Sequence, residues 1–135
     1  MIKRYGAQGA TGTGGQALPF SRAVAADGWL YVSGQTPMID GEVIDGGIVA
    51  QSTLAIQHCL DIMAEAGFGR EDIVHMQVFL TDARYFSSFN KVFKGFFADH
   101  PPARVCCVAE LVVDCMVEVD VTCFNPTCRG RSSTD

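Results

Sequence analysis

An α+β two-layer sandwich, one mixed β-sheet with two helices packed on one face, is the fold this sequence predicts. Three observations carry the prediction. Residues 49–66 and 82–98 repeat apolar side chains at spacings of three and four, the period of an amphipathic helix. Around them stand short β-branched and aromatic runs bounded by Asp-Gly, Gly and Pro turn signals. The resulting order, β-β-α-β-α-β-β with one more short strand near residues 42–44, lets two helices cover one face of a single sheet.

A chain of 135 residues is one domain with a single core. Its 48% hydrophobic and 19% charged residues match a soluble globular protein, and no apolar run approaches the roughly 20 residues that span a bilayer. The start, MIKRYGAQGATGTGG, has basic residues but no apolar stretch behind them, so it does not read as a secretory signal. A cytoplasmic location follows as the default, with reduced thiols. The six cysteines (59, 106, 107, 115, 123, 128) form no CxxC pair and have no His at zinc-ligand spacing. They read as small buried hydrophobes, with Cys106 beside Arg104 the one exception, and no metal is expected. A net charge of −5 without a Lys/Arg cluster argues against a phosphate-tracking surface and hence against a nucleic-acid partner.

In chain order, residues 1–17 read as a flexible Gly-rich segment. Their glycines make neither GxGxxG nor GxxxxGKS, so no phosphate loop is implied. Residues 20–25 and 29–33 are two strands joined by Ala26-Asp27-Gly28, a hairpin signal. The second ends at Ser33-Gly34-Gln35, where Gly34 would let a ligand or another backbone come close. On the first helix Val49, Thr53, Ile56, Leu60 and Met63 form the apolar stripe, His58 falls on the wet side, and Gly67 supplies a left-handed cap. Residues 73–80 are a strand with Val74, Met76, Val78 and Leu80 on one face and His75, Gln77 and Phe79 on the other; His75 reads as a packed sheet histidine. Asp82 caps the second helix, whose stripe Phe86, Phe89, Phe93 and Phe96 reads as core. Asn90 breaks that pattern, since a mid-helix amide is helix-neutral at best and points to a hydrogen-bonding task. His100-Pro101-Pro102 stops the helix. Residues 125–135 are a polar tail, expected to be disordered.

The stretch 100–122 sets charges among valines. Arg104 and Cys106 share one face of a strand; Met116, Glu118, Asp120 and Thr122 share one face of the next, opposite Val117, Val119, Val121 and Cys123. Paired as antiparallel neighbours, the register of the two runs would decide which acid meets Arg104. On the residues alone, Arg104 and Glu118 read first as a structural ion pair or a solvated face. The sheet face away from the helices mixes apolar residues with the acids, and oligomerisation would bury it.

LPFSRAV, WLYVSGQTP, DIVHMQVFLTD, FNKVFKGFFADHPPARVCCV and VEVDVTCF, in that order over residues 18–124, resemble the reactive intermediate deaminase family, RidA/YjgF. The VSGQ segment, the FN…FF…HPPAR run and the closing V-E-V-D strand are the most specific parts. The resemblance implies a chorismate-mutase-like fold assembled as a homotrimer with its sites between subunits. It implies hydrolysis of 2-imino acids to 2-keto acids and ammonia, without a cofactor. Residue by residue, it gives Arg104 the substrate carboxylate, Glu118 the attacking water, and Asn90 and Cys106 places lining the pocket, with Cys106 not a nucleophile. Ser33 and Gly34 fall on the segment that closes the pocket. Phe20 stands where many members have tyrosine, which removes a hydroxyl; Asp120 receives no role. Three other readings stay open: a non-enzymatic trimer binding small carboxylates as a regulator, a chaperone or ribonuclease role, and a pathway-specific deaminase of a larger enamine.

Overall fold

The structure is a computed structural model that describes residues 1–6 and 18–128. A six-stranded mixed sheet carries two α-helices, with a small separate hairpin beside them. β1 (Ile2–Tyr5), β2 (Ala23–Ala26) and β3 (Trp29–Gln35) form one side, followed by β4 (Met38–Ile39) and β5 (Glu42–Val43), which pair only with each other. Then come α1 (Gly47–Glu65), β6 (Ile73–Leu80), α2 (Phe86–Phe97), β7 (Ala103–Val108) and β8 (Val117–Phe124). Across the sheet the order is β1-β2-β3-β8-β6-β7, the predicted architecture with one added edge strand. Among the described residues no helix is long and apolar enough to cross a membrane.

The local chemistry explains the elements. Asp27 and Gly28 both have positive φ, 50° and 89°, the pair of left-handed residues that a tight hairpin between twisted strands requires. Gly67, at φ 87°, ends α1 as expected. Asp82 accepts the Arg84 amide at 2.8 Å and caps a short 3₁₀ turn that leads into α2. The core lies between sheet and helices: Leu30, Val32, Met76, Val78, Leu80, Val117, Val119 and Val121 from the strands meet Ala55, Ile56, Cys59, Met63, Phe89 and Phe97 from the helices.

Several expectations are corrected. β7 does not pair with β8: β6 lies between them, parallel to β7 and antiparallel to β8. A helix separates β6 from β7 in the chain, and a helical crossover returns a strand parallel to its predecessor. The leading segment is not flexible from its first residue, because Ile2–Tyr5 extends the sheet along β2; residues 7–17 lie outside those described. At the other end Pro126–Cys128 makes a 3₁₀ turn and buries Cys128, while residues 129–135 lie outside those described.

The face of α1 is turned relative to the predicted stripe. Val49 is 54% exposed, and the buried side is Ser52, Ala55, Ile56, Cys59, Ile62 and Met63 with Gln51. Gln51 goes inward because its amide is satisfied there, donating to the Ile44 carbonyl and accepting the Met116 amide. His58 is half-buried, not wet, since Nε2 donates to the Met38 carbonyl at 2.8 Å and ties the β4–β5 hairpin to α1. In β6 a register shift between Ile73 and His75 puts Ile73 inside and leaves Val74 exposed. Four cysteines are buried as predicted, Cys106 is half-buried and Cys107 is exposed.

Candidate active site

Strand register divides the predicted site residues between the two faces of the sheet. Arg104 and Cys106 sit level with Met76 and Val78 in the parallel β6–β7 pair, so they point toward the helices, where Met76 and Val78 are fully buried. Glu118 sits level with Phe79 and Asp120 with Gln77, on the opposite, open face. No Arg104–Glu118 ion pair exists among the described residues, and the structural-pair reading is set aside.

On the helix side, α2 meets Arg104 with one face. Phe86, Phe89, Asn90 and Phe93 recur at spacings of three and four and therefore line up. Asn90 Oδ1 accepts a hydrogen bond from an Arg104 terminal nitrogen at 2.7 Å. The guanidinium carbon lies 5.6, 5.8 and 4.8 Å from the ring centres of Phe86, Phe89 and Phe93, within cation–π range. Among the described residues no carboxylate pairs with Arg104, and Asn90 is the only hydrogen-bond partner of its side chain. A guanidinium without an acidic partner keeps its donors free to pair with a planar anion. Cys106 packs at the edge of the core; burial pushes its thiol up, partly offset by Arg104, which disfavours the thiolate.

The aromatic part of this cluster was not foreseen. The phenylalanine stripe reads as core in the sequence, yet Phe86 remains 44% exposed and three of its rings face the arginine. The signal available was Asn90 inside the same stripe: an amide at that spacing requires a polar partner on that face.

On the open side, β3 and β8 pair regularly from Trp29 to Val32 and then shift register before Gln35. Gly34 lies in that irregular stretch against Glu118: a Cβ there would collide with the carboxylate oxygen and come within 3.1 Å of the carboxyl carbon. Ser33 is committed to structure, its hydroxyl donating to the Ser21 carbonyl at 2.7 Å and its amide to Arg22. Arg22 is itself paired with Glu65 at 2.9 Å. Phe20, 49% exposed, therefore precedes a segment anchored at both β3 and α1. Burial raises the proton affinity of Glu118, and the neighbouring Asp120 charge adds to it. Burial likewise raises Asp120, which the half-buried His75 partly counters. A carboxyl shifted in this direction holds a proton more readily than a free one.

One chain thus brings together Arg104, Asn90 and Cys106 on one face and Glu118, Gly34 and Ser33 on the other. No group of three or more His, Cys, Asp or Glu among the described residues could hold a metal ion.

The chain resembles known proteins along nearly its whole length. A family model described as Endoribonuclease L-PSP matches residues 14–124. A RutC family protein of Sulfurisphaera tokodaii is 37% identical over 78% of this chain and 86% of its own. The mitochondrial protein Mmf1 of Saccharomyces cerevisiae is 36% identical over 78% and 74%. The crystal structure of Escherichia coli TdcF with bound serine superposes with a TM-score of 0.79 at 29% identity, covering 91% of this chain and 98% of TdcF. Matching in sequence profile, relatives and fold, the chain belongs to the Endoribonuclease L-PSP family of YjgF, RidA and RutC proteins.

Proposed function

We propose that this protein is a hydrolase that converts reactive 2-imino acids and their enamine tautomers, such as 2-iminobutanoate and 2-iminopropanoate/2-aminoacrylate, to 2-keto acids and ammonia. It does so as a homotrimer with its sites between subunits. The observation that carries this reading is Arg104, held by Asn90 and three phenylalanine rings with no acid beside it. A planar two-donor fork so presented suits a carboxylate. The E. coli relative holds serine, whose carboxylate and α-nitrogen a 2-imino acid shares.

In the mechanism Arg104 grips the carboxylate, and Glu118 takes a proton from a water as its oxygen bonds to the imine carbon. The electron pair of the C=N bond moves to nitrogen, which takes that proton back from Glu118, giving a carbinolamine. Glu118 then removes the hydroxyl proton and passes it to nitrogen as C=O forms and the C–N bond breaks, and ammonia leaves. Water is the only co-reactant, so no cofactor is required. Because Arg104 and Glu118 lie on opposite sheet faces, a site that uses both takes one from each of two subunits. The open face, with Trp29 and Val105 exposed beside half-buried acids, supports that assembly. The cytoplasmic location is kept within this proposal, although Mmf1 is named as mitochondrial. A net charge of −5 speaks against RNA as the substrate.

The test is ammonia release from 2-iminobutanoate generated in situ by a threonine dehydratase. Wild-type protein accelerates release, while Arg104→Ala and Glu118→Gln each slow it by about 10²-fold or more at subsaturating substrate; tight binding of 2-keto acids without turnover would favour the regulatory trimer instead. Refolding the two impaired variants together restores activity at about a quarter of the sites, because random mixing pairs an intact Arg104 with an intact Glu118 across an interface that often. Failure to recover any activity would place both residues in one subunit's site.

A further inference from the structure

Phe93 and Phe86 belong to no step of the reaction proposed above, yet of the three rings they stand nearest to the charge on which it depends. Phe93 lies 4.8 Å and Phe86 5.6 Å from the guanidinium carbon of Arg104. A phenylalanine stripe meant only for the core would be covered, as Phe89 and Phe97 are. Phe86 is not, and its place at the start of α2 leaves it 44% exposed beside the arginine.

Three properties of this arrangement matter to a bound carboxylate. The ring faces attract the guanidinium through their quadrupoles without neutralising it, which an aspartate or glutamate would do. They also restrict a side chain that otherwise carries considerable rotamer entropy, so that less freedom is lost when the ligand arrives. Finally, Asn90 takes up one terminal nitrogen at 2.7 Å, and among the described residues the remaining donors of the fork have no protein partner.

We propose that Phe86, Phe89 and Phe93 form an aromatic cradle that positions Arg104, so that α2 sets the affinity for the substrate carboxylate without touching the reacting atoms. These are positioning residues, acting through Arg104. The inference rests on the carboxylate role of Arg104 given above.

The experiment measures binding of 2-oxobutanoate by titration calorimetry, and steady-state ammonia release, for the full chain. It compares wild type, Arg104→Ala, Phe93→Leu, Phe93→Tyr and Phe86→Leu. Leucine keeps apolar bulk and removes the π face; tyrosine keeps both. The expected result is a Kd and KM about three- to tenfold higher in Phe93→Leu, a smaller rise in Phe86→Leu, kcat nearly unchanged in both, and recovery of wild-type values in Phe93→Tyr. Equal Kd values for Phe93→Leu and wild type, with Arg104→Ala unable to bind, would overturn the cradle and leave the role of Arg104 standing. Undiminished binding by Arg104→Ala would overturn that role and the cradle with it. Should Phe93→Leu fail to fold, the exposed Phe86→Leu decides alone: an unchanged Kd there removes the cradle.

Discussion

The arginine half and the carboxylate half of this protein are built on opposite principles. Around Arg104 the surroundings are aromatic and neutral, with a single amide as hydrogen-bond partner, and the positive charge is left available. Around Glu118 a second carboxylate stands on the same strand face and Gly34 presses the backbone against it, so the negative charge is made uncomfortable and its proton affinity rises. In the proposed reaction one half holds the anion and the other moves the proton. Among the described residues no carboxylate pairs with Arg104, and Arg104 and Glu118 lie on opposite faces of the sheet.

The halves should therefore fail differently. Removing Glu118 should cost most: Glu118→Gln is expected to lower kcat on the order of 10²–10⁴-fold while the Kd for 2-oxobutanoate stays near wild type. Arg104→Ala should show the reverse emphasis, with binding weakened on the order of 10²-fold or more. A shared loss of both parameters in both variants, read from steady-state kinetics and calorimetry, would erase the division of labour. Asn90→Asp sharpens the point for the cationic half. It keeps the hydrogen bond but supplies the counter-ion that is absent now, and 2-oxobutanoate should bind about tenfold more weakly although the melting temperature does not fall. Gly34→Ala probes the acidic half. The added methyl displaces the Glu118 carboxyl, and kcat should drop by about tenfold, as misplacement of a catalytic group does.

The smallest effect concerns stability and pH. Glu118 has a folded-state pKa raised by burial and by Asp120, so the folded protein binds its proton more tightly than the unfolded chain. That contribution is fully present below the unfolded value and is lost as pH rises through the folded one. Glu118→Gln should therefore melt slightly higher than wild type at neutral pH, with the difference vanishing in acid. A thermal melt series across pH checks this.

Much of this was legible in the sequence. Alternation in residues 117–124 assigns the valines inward and the acids outward, and the structure agrees. The Asp27-Gly28 turn, the cap at Gly67 and the amide at Asn90 each announced a local requirement that the fold meets. Strand order was not legible, because pairing partners are chosen by helix packing and crossover geometry, which no local pattern encodes. The antiparallel β7–β8 assumption failed for that reason, and with it the idea that a register would set an acid against Arg104. The face of α1 was misjudged because Gln51 counts as polar by type, although its amide is satisfied internally by Ile44 and Met116. The phenylalanine stripe reads as core because aromatic residues at helical spacing usually are; only the neighbouring strand reveals a cation in front of them.

The alternation along β8 also acts as a check on errors. Val117, Val119, Val121 and Cys123 are all buried, and the same four positions dictate that Glu118 and Asp120 emerge on the far side. A single inserted or deleted residue within the strand would drive carboxylates into the core and expose valines, so the misplaced acid would be lost with the fold and no misassembled site would persist. An insertion between β7 and β8 meets no such barrier, since lengthening a connecting segment costs little closure entropy. Sequence length can therefore drift at residues 110–114 while the position of the acid stays locked.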